Sequence, residues 1–147
     1  MITKIKNNRK KYVEKIVSSL DEFSYRKARY SLNFSLAVGL VNEEISLENF
    51  IDLKRKTDDY IHLENNLYCI VLDGADYDAA IKATSNLQTQ FQSNYFDKKL
   101  FIAVISSDEC DNDKTMVNQL FDILEYSVSH KMDGMVIDKY QMLRHNH

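Results

Sequence analysis

A short apolar run in the middle of the chain is the feature that most constrains the fold. Residues 67–72 read LYCIVL, which has the length of a strand and is rich in Val, Ile and aromatic side chains. The preceding Glu64-Asn65-Asn66 is a turn signal, because asparagine tolerates the left-handed backbone that a tight hairpin requires. The stretch from Arg55 to Leu72 therefore predicts a helix end, a short strand, a tight turn and a buried strand.

Apolar periodicity predicts further elements on both sides of this hairpin. In chain order they are a helix over about 3–27, a strand over 32–41, a helix over about 47–57, a helix ending near 91, a strand over 100–105, a helix with an apolar stripe over 117–128 and a short strand over 135–137. The inner order β-α-β-β-α-β is typical of a ferredoxin-like, palm-type core. We therefore predict an α/β (α+β) fold with a mainly antiparallel sheet, flanking helices and an extra N-terminal helix.

Composition indicates one domain. The chain has 147 residues, no proline and only three glycines, so no linker or boundary stands out. We expect a single domain over residues 1–140 and a polar, frayed tail over 141–147, with the polar character beginning at Asp138.

Charge and hydropathy argue against several classes of protein. The net charge of −3 does not favour binding to nucleic acid. No apolar run approaches the length needed to cross a bilayer. The basic N-terminus lacks the apolar segment of a signal peptide, and its lysines are interpreted as a solvated helix face. Cys69 and Cys110 are too few for a disulfide framework. We predict a cytoplasmic protein without membrane insertion or a nucleic-acid partner.

Three short motifs occur in the same order as in a known family. Ile2 to Arg9 is similar to an opening LTGLxNRR signature, Arg29-Tyr30 matches an Arg-Tyr pair before the first strand, and Lys131-Met132-Asp133-Gly134 has the spacing Lys-x-x-Gly. On these residues the chain resembles the GGDEF domain of diguanylate cyclases along most of its length. The resemblance implies the palm-type core already predicted, preceded by an N-terminal helix.

The resemblance also implies departures at the family's metal site. The Gly-Gly-Asp-Glu-Phe turn corresponds to Glu64, Asn65, Asn66, Leu67 and Tyr68. An acidic metal ligand is thereby replaced by Leu67, and the aspartate that ends the first strand in the family corresponds to about Leu40. Magnesium requires oxygen ligands, which leucine side chains lack. On this basis we expect a degenerate domain that has no metal, no cofactor and no catalytic residues, and that is not an enzyme.

One binding motif of the family has a counterpart. Its inhibitory site is an Arg-x-x-Asp shortly before the turn, where it binds cyclic di-GMP, and Arg55 and Asp58 fit this spacing. A guanidinium can bind a phosphate or the Hoogsteen edge of guanine, and a carboxylate can accept from guanine N–H groups. In the alternative interpretation, Arg55 and Asp58 only cap and brace the end of a helix.

The predicted function is a catalytically inactive, GGDEF-like regulatory or protein-interaction module in bacterial signalling, which acts through a protein partner or self-association. The alternative is a cyclic di-GMP receptor that binds through Arg55 and Asp58. A third possibility is a nucleotidyl-transferring or hydrolysing enzyme, which requires acidic side chains converging near the end of the first strand. Fold-level resemblance does not separate these functions, because function depends on the site.

Overall fold

The computed structural model describes residues 2–43 and 59–145 of the chain. Its elements are α1 (Ile2–Ser18), α2 (Asp21–Tyr30), β1 (Phe34–Val41), β2 (Asp59–Glu64), β3 (Leu67–Asp73), α3 (Tyr77–Asn94), β4 (Leu100–Ser106), a 3-10 turn (Ser107–Glu109), α4 (Asp113–Ser129), β5 (Val136–Ile137) and α5 (Lys139–His145). The helix predicted over about 47–57 lies outside the described residues.

One sheet organises these elements. Its strand order is β2-β3-β1-β4-β5, with antiparallel pairing everywhere except between β4 and β5, which are parallel. The predicted fold class, a ferredoxin-like α/β fold with a mainly antiparallel sheet and flanking helices, is confirmed. Strand β1 lies in the centre, and every one of its residues is buried because helices cover both faces of the sheet.

Two hydrophobic cores lie on opposite faces of the sheet. The α1, α2 and α4 face contains Phe34, Leu36, Val38 and Leu40 of β1, whereas Ala37 and Val41 belong to the α3 face. Alternate residues of β1 thus point to opposite faces of the sheet, as the pleat of a strand requires. On the first face the rings of Tyr12 and Phe121 stack with centroids 6.0 Å apart, which joins α1 to α4.

The predicted N-terminal helix is divided into two. Helix α1 ends at Ser18, and α2 begins at Asp21. The hydroxyls of Ser18 and Ser19 both donate to the Lys15 carbonyl, at 2.8 and 3.0 Å, and so compete with the continuing helical hydrogen bonds. Leu20 at the break is fully buried. Burial of this side chain accompanies the break, which apolar spacing alone does not reveal.

The C-terminal segment is helical, where we expected a frayed tail. Asp138 is 2% exposed, and its carboxylate accepts the Gln141 backbone N–H at 2.8 Å and the Tyr77 hydroxyl. The hydrogen bond from the Tyr77 hydroxyl to Asp138, together with burial, raises the pKa of Tyr77 to about 12. Met142 packs against the core on the α4 face. The expectation of fraying was wrong because a buried aspartate begins α5, a helix too short to show apolar periodicity.

The helices of the described ranges include none that is long and apolar enough to span a bilayer.

Gly39 provides a test of the close packing around β1. A Cβ atom at this position would lie 3.0 Å from the Tyr68 hydroxyl oxygen and 3.1 Å from its Cζ. We expect Gly39→Ala to lower the free energy of unfolding by about 1–3 kcal/mol, because the buried Tyr68 ring has to shift. Urea unfolding of Gly39→Ala, Tyr68→Phe and the double variant measures the coupling.

In the Tyr68→Phe background, which lacks the hydroxyl, Gly39→Ala should lower the free energy of unfolding by about 0.5–1 kcal/mol less than it does in the wild type. Equal costs of Gly39→Ala in the two backgrounds would contradict the proposed clash with the hydroxyl.

Candidate functional site

The candidate site is the end of the sheet where β1 finishes beside the β2–β3 turn. The turn contains Asn65 and Asn66, as the sequence predicts. The backbone N–H of Val41 donates to the Asn66 carbonyl at 2.9 Å, and the Asn66 side-chain amide donates to the Val41 carbonyl, also at 2.9 Å. These two hydrogen bonds fix the hairpin turn against the C-terminal end of β1.

Glu64 connects this turn to helix α1. Its carboxylate accepts the Tyr12 hydroxyl at 2.9 Å and lies 3.7 Å from the Lys4 ammonium group. Burial raises the pKa of Tyr12, and the hydrogen bond and negative charge of Glu64 raise it further. The Lys15 ammonium group donates to the His62 carbonyl in β2. The N-terminal helix therefore holds the hairpin through three polar contacts.

Leu40 and Leu67 face each other across β1 and β3. They are 3% and 1% exposed, and both pack in the core on the α4 face. Tyr68 lies on the opposite face, where its ring centroid is 5.5 Å from that of Tyr60. Burial strongly raises the pKa of Tyr68. The side chains at the end of the first strand pair are therefore apolar or aromatic and enclosed.

The third functional alternative requires acidic side chains near the end of β1, and residues 44–58, which follow β1 in the chain, lie outside the described residues. Across residues 2–43 and 59–145, no group of three or more His, Cys, Asp or Glu side chains is placed to hold a metal ion. Near the end of β1, the Glu43 carboxylate lies 2.6 Å from the Lys98 ammonium group, and Asn42 accepts the Lys99 backbone N–H at 3.0 Å. These contacts close the β1 end against the residues that lead into β4.

The Lys-x-x-Gly segment forms the approach to β5. Helix α4 ends at Ser129, and Lys131 adopts a left-handed backbone with φ of 55°. Gly134 has φ of +77°, and its N–H donates to the Leu100 carbonyl at 3.0 Å. A Cβ at Gly134 would lie 2.7 Å from the Gln92 amide nitrogen. Gly134 therefore shapes the loop into β5, while the C-cap of α4 is His130.

Arg55 and Asp58 lie outside the described residues, so the predicted cyclic di-GMP site stays a prediction. Sequence reasoning missed the hydrogen bond between Tyr12 and Glu64, because these residues belong to different elements and no local motif connects them.

No protein-family model matches the sequence, and a search of curated proteins found no significant match. Solved structures with the same fold do exist. The diguanylate cyclase SiaD of Pseudomonas aeruginosa, solved in complex with its activator SiaC, is 10% identical with a TM-score of 0.66, over 84% of this chain and 56% of that one. This chain thus spans little more than half of the SiaD chain.

Two further structures cover most of both chains. The active GGEEF domain of a diguanylate cyclase from Vibrio cholerae is 9% identical with a TM-score of 0.64, over 85% of this chain and 94% of that one. The GGDEF domain of DgcB from Caulobacter crescentus, in complex with c-di-GMP, is 8% identical with a TM-score of 0.61, over 84% of this chain and 85% of that one. The chain therefore has the fold of the GGDEF domains of diguanylate cyclases.

The expectation that the chain is not an enzyme is contradicted. The fold is shared with a GGEEF domain described as active, so the fold gives no ground for excluding catalysis. Our exclusion rested on assigning two leucines to metal-ligand positions by motif order. Short motifs do not fix such an assignment residue by residue, so the exclusion is withdrawn.

The hydrogen bond between Tyr12 and Glu64 generates a prediction for stability against pH. Tyr12→Phe should lower the free energy of unfolding by about 1–2 kcal/mol at neutral pH, because it removes a hydrogen bond to a carboxylate. The folded-state pKa of Tyr12 lies above its ordinary value of 10, so this stabilisation is complete below pH 10 and is lost as pH rises further. Urea unfolding between pH 7 and about pH 11 should show the two proteins converging above pH 10.

Tyr25→Phe is the matched control, since Tyr25 is 57% exposed. It should change the free energy of unfolding by less than about 0.5 kcal/mol at neutral pH. A difference between wild type and Tyr12→Phe that stays constant above pH 10 would contradict the raised pKa.

Proposed function

We propose that this chain is a GGDEF-fold regulatory module of bacterial cyclic di-GMP signalling, which acts in the cytoplasm through protein contacts. The observation that carries the proposal is the fold shared with cyclic-nucleotide signalling domains, one of them solved with a protein activator. The fold supports this class of function, and the surface of the chain indicates where a protein contact would form. A single domain is part of the same proposal, and its predicted end at residue 140 falls inside α5, which continues to His145.

Helix α5 offers an apolar contact surface. Tyr140 and Leu143 are 46% and 52% exposed, and their spacing of three residues places them on the same face of the helix. Helix α5 is held by Met142, which packs against the core, and by Asp138, which accepts the Gln141 N–H at the start of the helix. The helix is fixed in place, and its exposed aromatic and aliphatic side chains have the apolar character found at the centre of protein interfaces. We propose that this face mediates self-association.

Sedimentation velocity over a range of protein concentrations tests this surface. The wild type should form a dimer, and Leu143→Asp should weaken the dimer at least about tenfold, because a charge in the centre of an apolar interface loses its hydration. Phe96→Asp is the matched control, since Phe96 is 90% exposed in the turn before β4 and should leave the dimer unchanged. A wild type that remains monomeric, or equal effects of both variants, would contradict self-association through α5.

The second candidate function is a cyclic di-GMP receptor that binds through Arg55 and Asp58. Two observations favour it: the Arg-x-x-Asp spacing before the hairpin, and the c-di-GMP bound to the GGDEF domain of DgcB. Arg55 would bind a phosphate or a guanine edge, and Asp58 would accept from guanine N–H groups. The contact between hairpin and α1 provides a rigid support on the C-terminal side of this motif.

Calorimetric titration of cyclic di-GMP distinguishes the receptor from a pure protein-contact module. The receptor proposal predicts a dissociation constant of about 1 μM or lower for the wild type. Arg55→Ala should raise this constant at least about tenfold. Lys56→Ala is the matched control, because it removes a neighbouring positive charge without touching the motif. Absence of heat and of thermal stabilisation at about 100 μM ligand would contradict the receptor proposal.

A further inference from the structure

A groove between α1 and α4 gathers an unusual number of positive charges for an acidic protein. The cavity has a volume of about 360 Å³. Its lining consists of Lys6, Arg9, Lys10, Val13, Glu14, Lys114 and Asn118. Four of these side chains are cationic and one is anionic, whereas the whole chain carries a net charge of −3. The local excess of positive charge favours an anionic occupant.

Arg9 is a fixed part of the groove wall. Its Nη1 donates to Glu125 at 2.9 Å, and its Nη2 donates to Asp122 at 2.7 Å and to the Asn118 carbonyl. The Arg9 side chain is only 21% exposed. These bonds lock α1 to α4 and compensate the Arg9 charge, so the free positive charge of the groove belongs to its lysines.

The three lysines of the groove approach from both helices. Lys6 and Lys10 are four residues apart on α1, a spacing at which like charges repel each other. Lys114 lies in the first turn of α4, where the helix dipole adds to its positive charge. All three are exposed, and in the described part of the chain none has an ion pair within 4.0 Å. An anion that contacts all three would relieve this repulsion.

Four carboxylates lie in or near the groove, and only one of them lines it. Glu14 also lines the groove, four residues after Lys10. Asp113, beside Lys114, accepts the Ser24 hydroxyl at 2.6 Å, and Asp122 and Glu125 bind Arg9. The lining itself thus combines three lysine ammonium groups with one carboxylate, whereas the other three carboxylates are engaged by Ser24 and Arg9.

The other contacts of α1 argue for a compact ligand. Lys4 pairs with Glu64, and Lys15 donates to the His62 carbonyl, so both are directed to the hairpin instead of the groove. An extended polyanion such as nucleic acid would use a continuous line of cations along the helix. The volume of the groove falls within the range of small-molecule sites.

We propose that this groove is a binding site for a small polyphosphate anion, either free or as the phosphate chain of a nucleotide. Lysines bind phosphate oxygens as point charges, and three of them match an anion with several charges. The site uses neither Arg55, Asp58 nor the α5 surface, so it stands independently of the proposed function.

Calorimetric titration of sodium tripolyphosphate, at low ionic strength and without divalent cations, tests the site. Wild type should bind tripolyphosphate more tightly than orthophosphate, and Lys10→Gln and Lys114→Gln should each weaken binding about fivefold, because each removes one attractive charge. Lys11→Gln is the matched control, since Lys11 is exposed on the same helix but does not line the groove. It should change affinity by less than about twofold.

Competition experiments identify the source of the phosphate groups. If ATP displaces tripolyphosphate and the groove variants weaken both, the site accepts nucleotides; if only tripolyphosphate binds, it takes the free anion, and either result supports the site. No heat at about 1 mM tripolyphosphate, or an effect of Lys11→Gln as large as that of Lys10→Gln, would overturn the proposal. Tighter binding of a single-stranded oligonucleotide, weakened equally by all three variants, would also overturn it.

Discussion

The pairing of β1 with β3 and β4 is the constraint on which the rest of the structure depends. Every residue of β1 is buried, so both of its faces need covering helices and both of its edges need partner strands. The small residue Gly39 admits the Tyr68 ring on the α3 face, while Leu36 and Val38 pack under α4. A strand in this position fixes where β1 ends, and so fixes the end of the sheet that carries the hairpin turn.

Helix α1 divides its charges between two surfaces. Lys4 and Lys15 reach the β2–β3 hairpin, whereas Lys6 and Lys10 face the groove beside α4. Arg9 joins α1 to α4 through Asp122 and Glu125. One helix therefore contacts the hairpin at the candidate site and also lines the proposed anion site. Binding in the groove would act on the same helix that holds Glu64.

Some features of the candidate site could be predicted from local sequence, and others could not. The Asn65-Asn66 turn follows from backbone preferences, and the strand after it follows from its apolar run. The contact of Tyr12 with Glu64 joins residues that are distant in the chain, so periodicity carries no signal for it. The withdrawn exclusion of catalysis has a related cause, since motif order assigned individual residues to roles that only their three-dimensional surroundings define.

The sequence by itself determined the main strands, the hairpin and the alternation of side chains along β1, because these depend on apolar patterning and turn chemistry within short stretches. Only the tertiary structure decided that the N-terminal helix breaks at Leu20, that Asp138 begins a further helix, and that lysines from α1 and α4 share a groove. Burial of Leu20, burial of Asp138 and the crossing of two helices are long-range packing effects. Their free energies depend on neighbours that are remote in the chain.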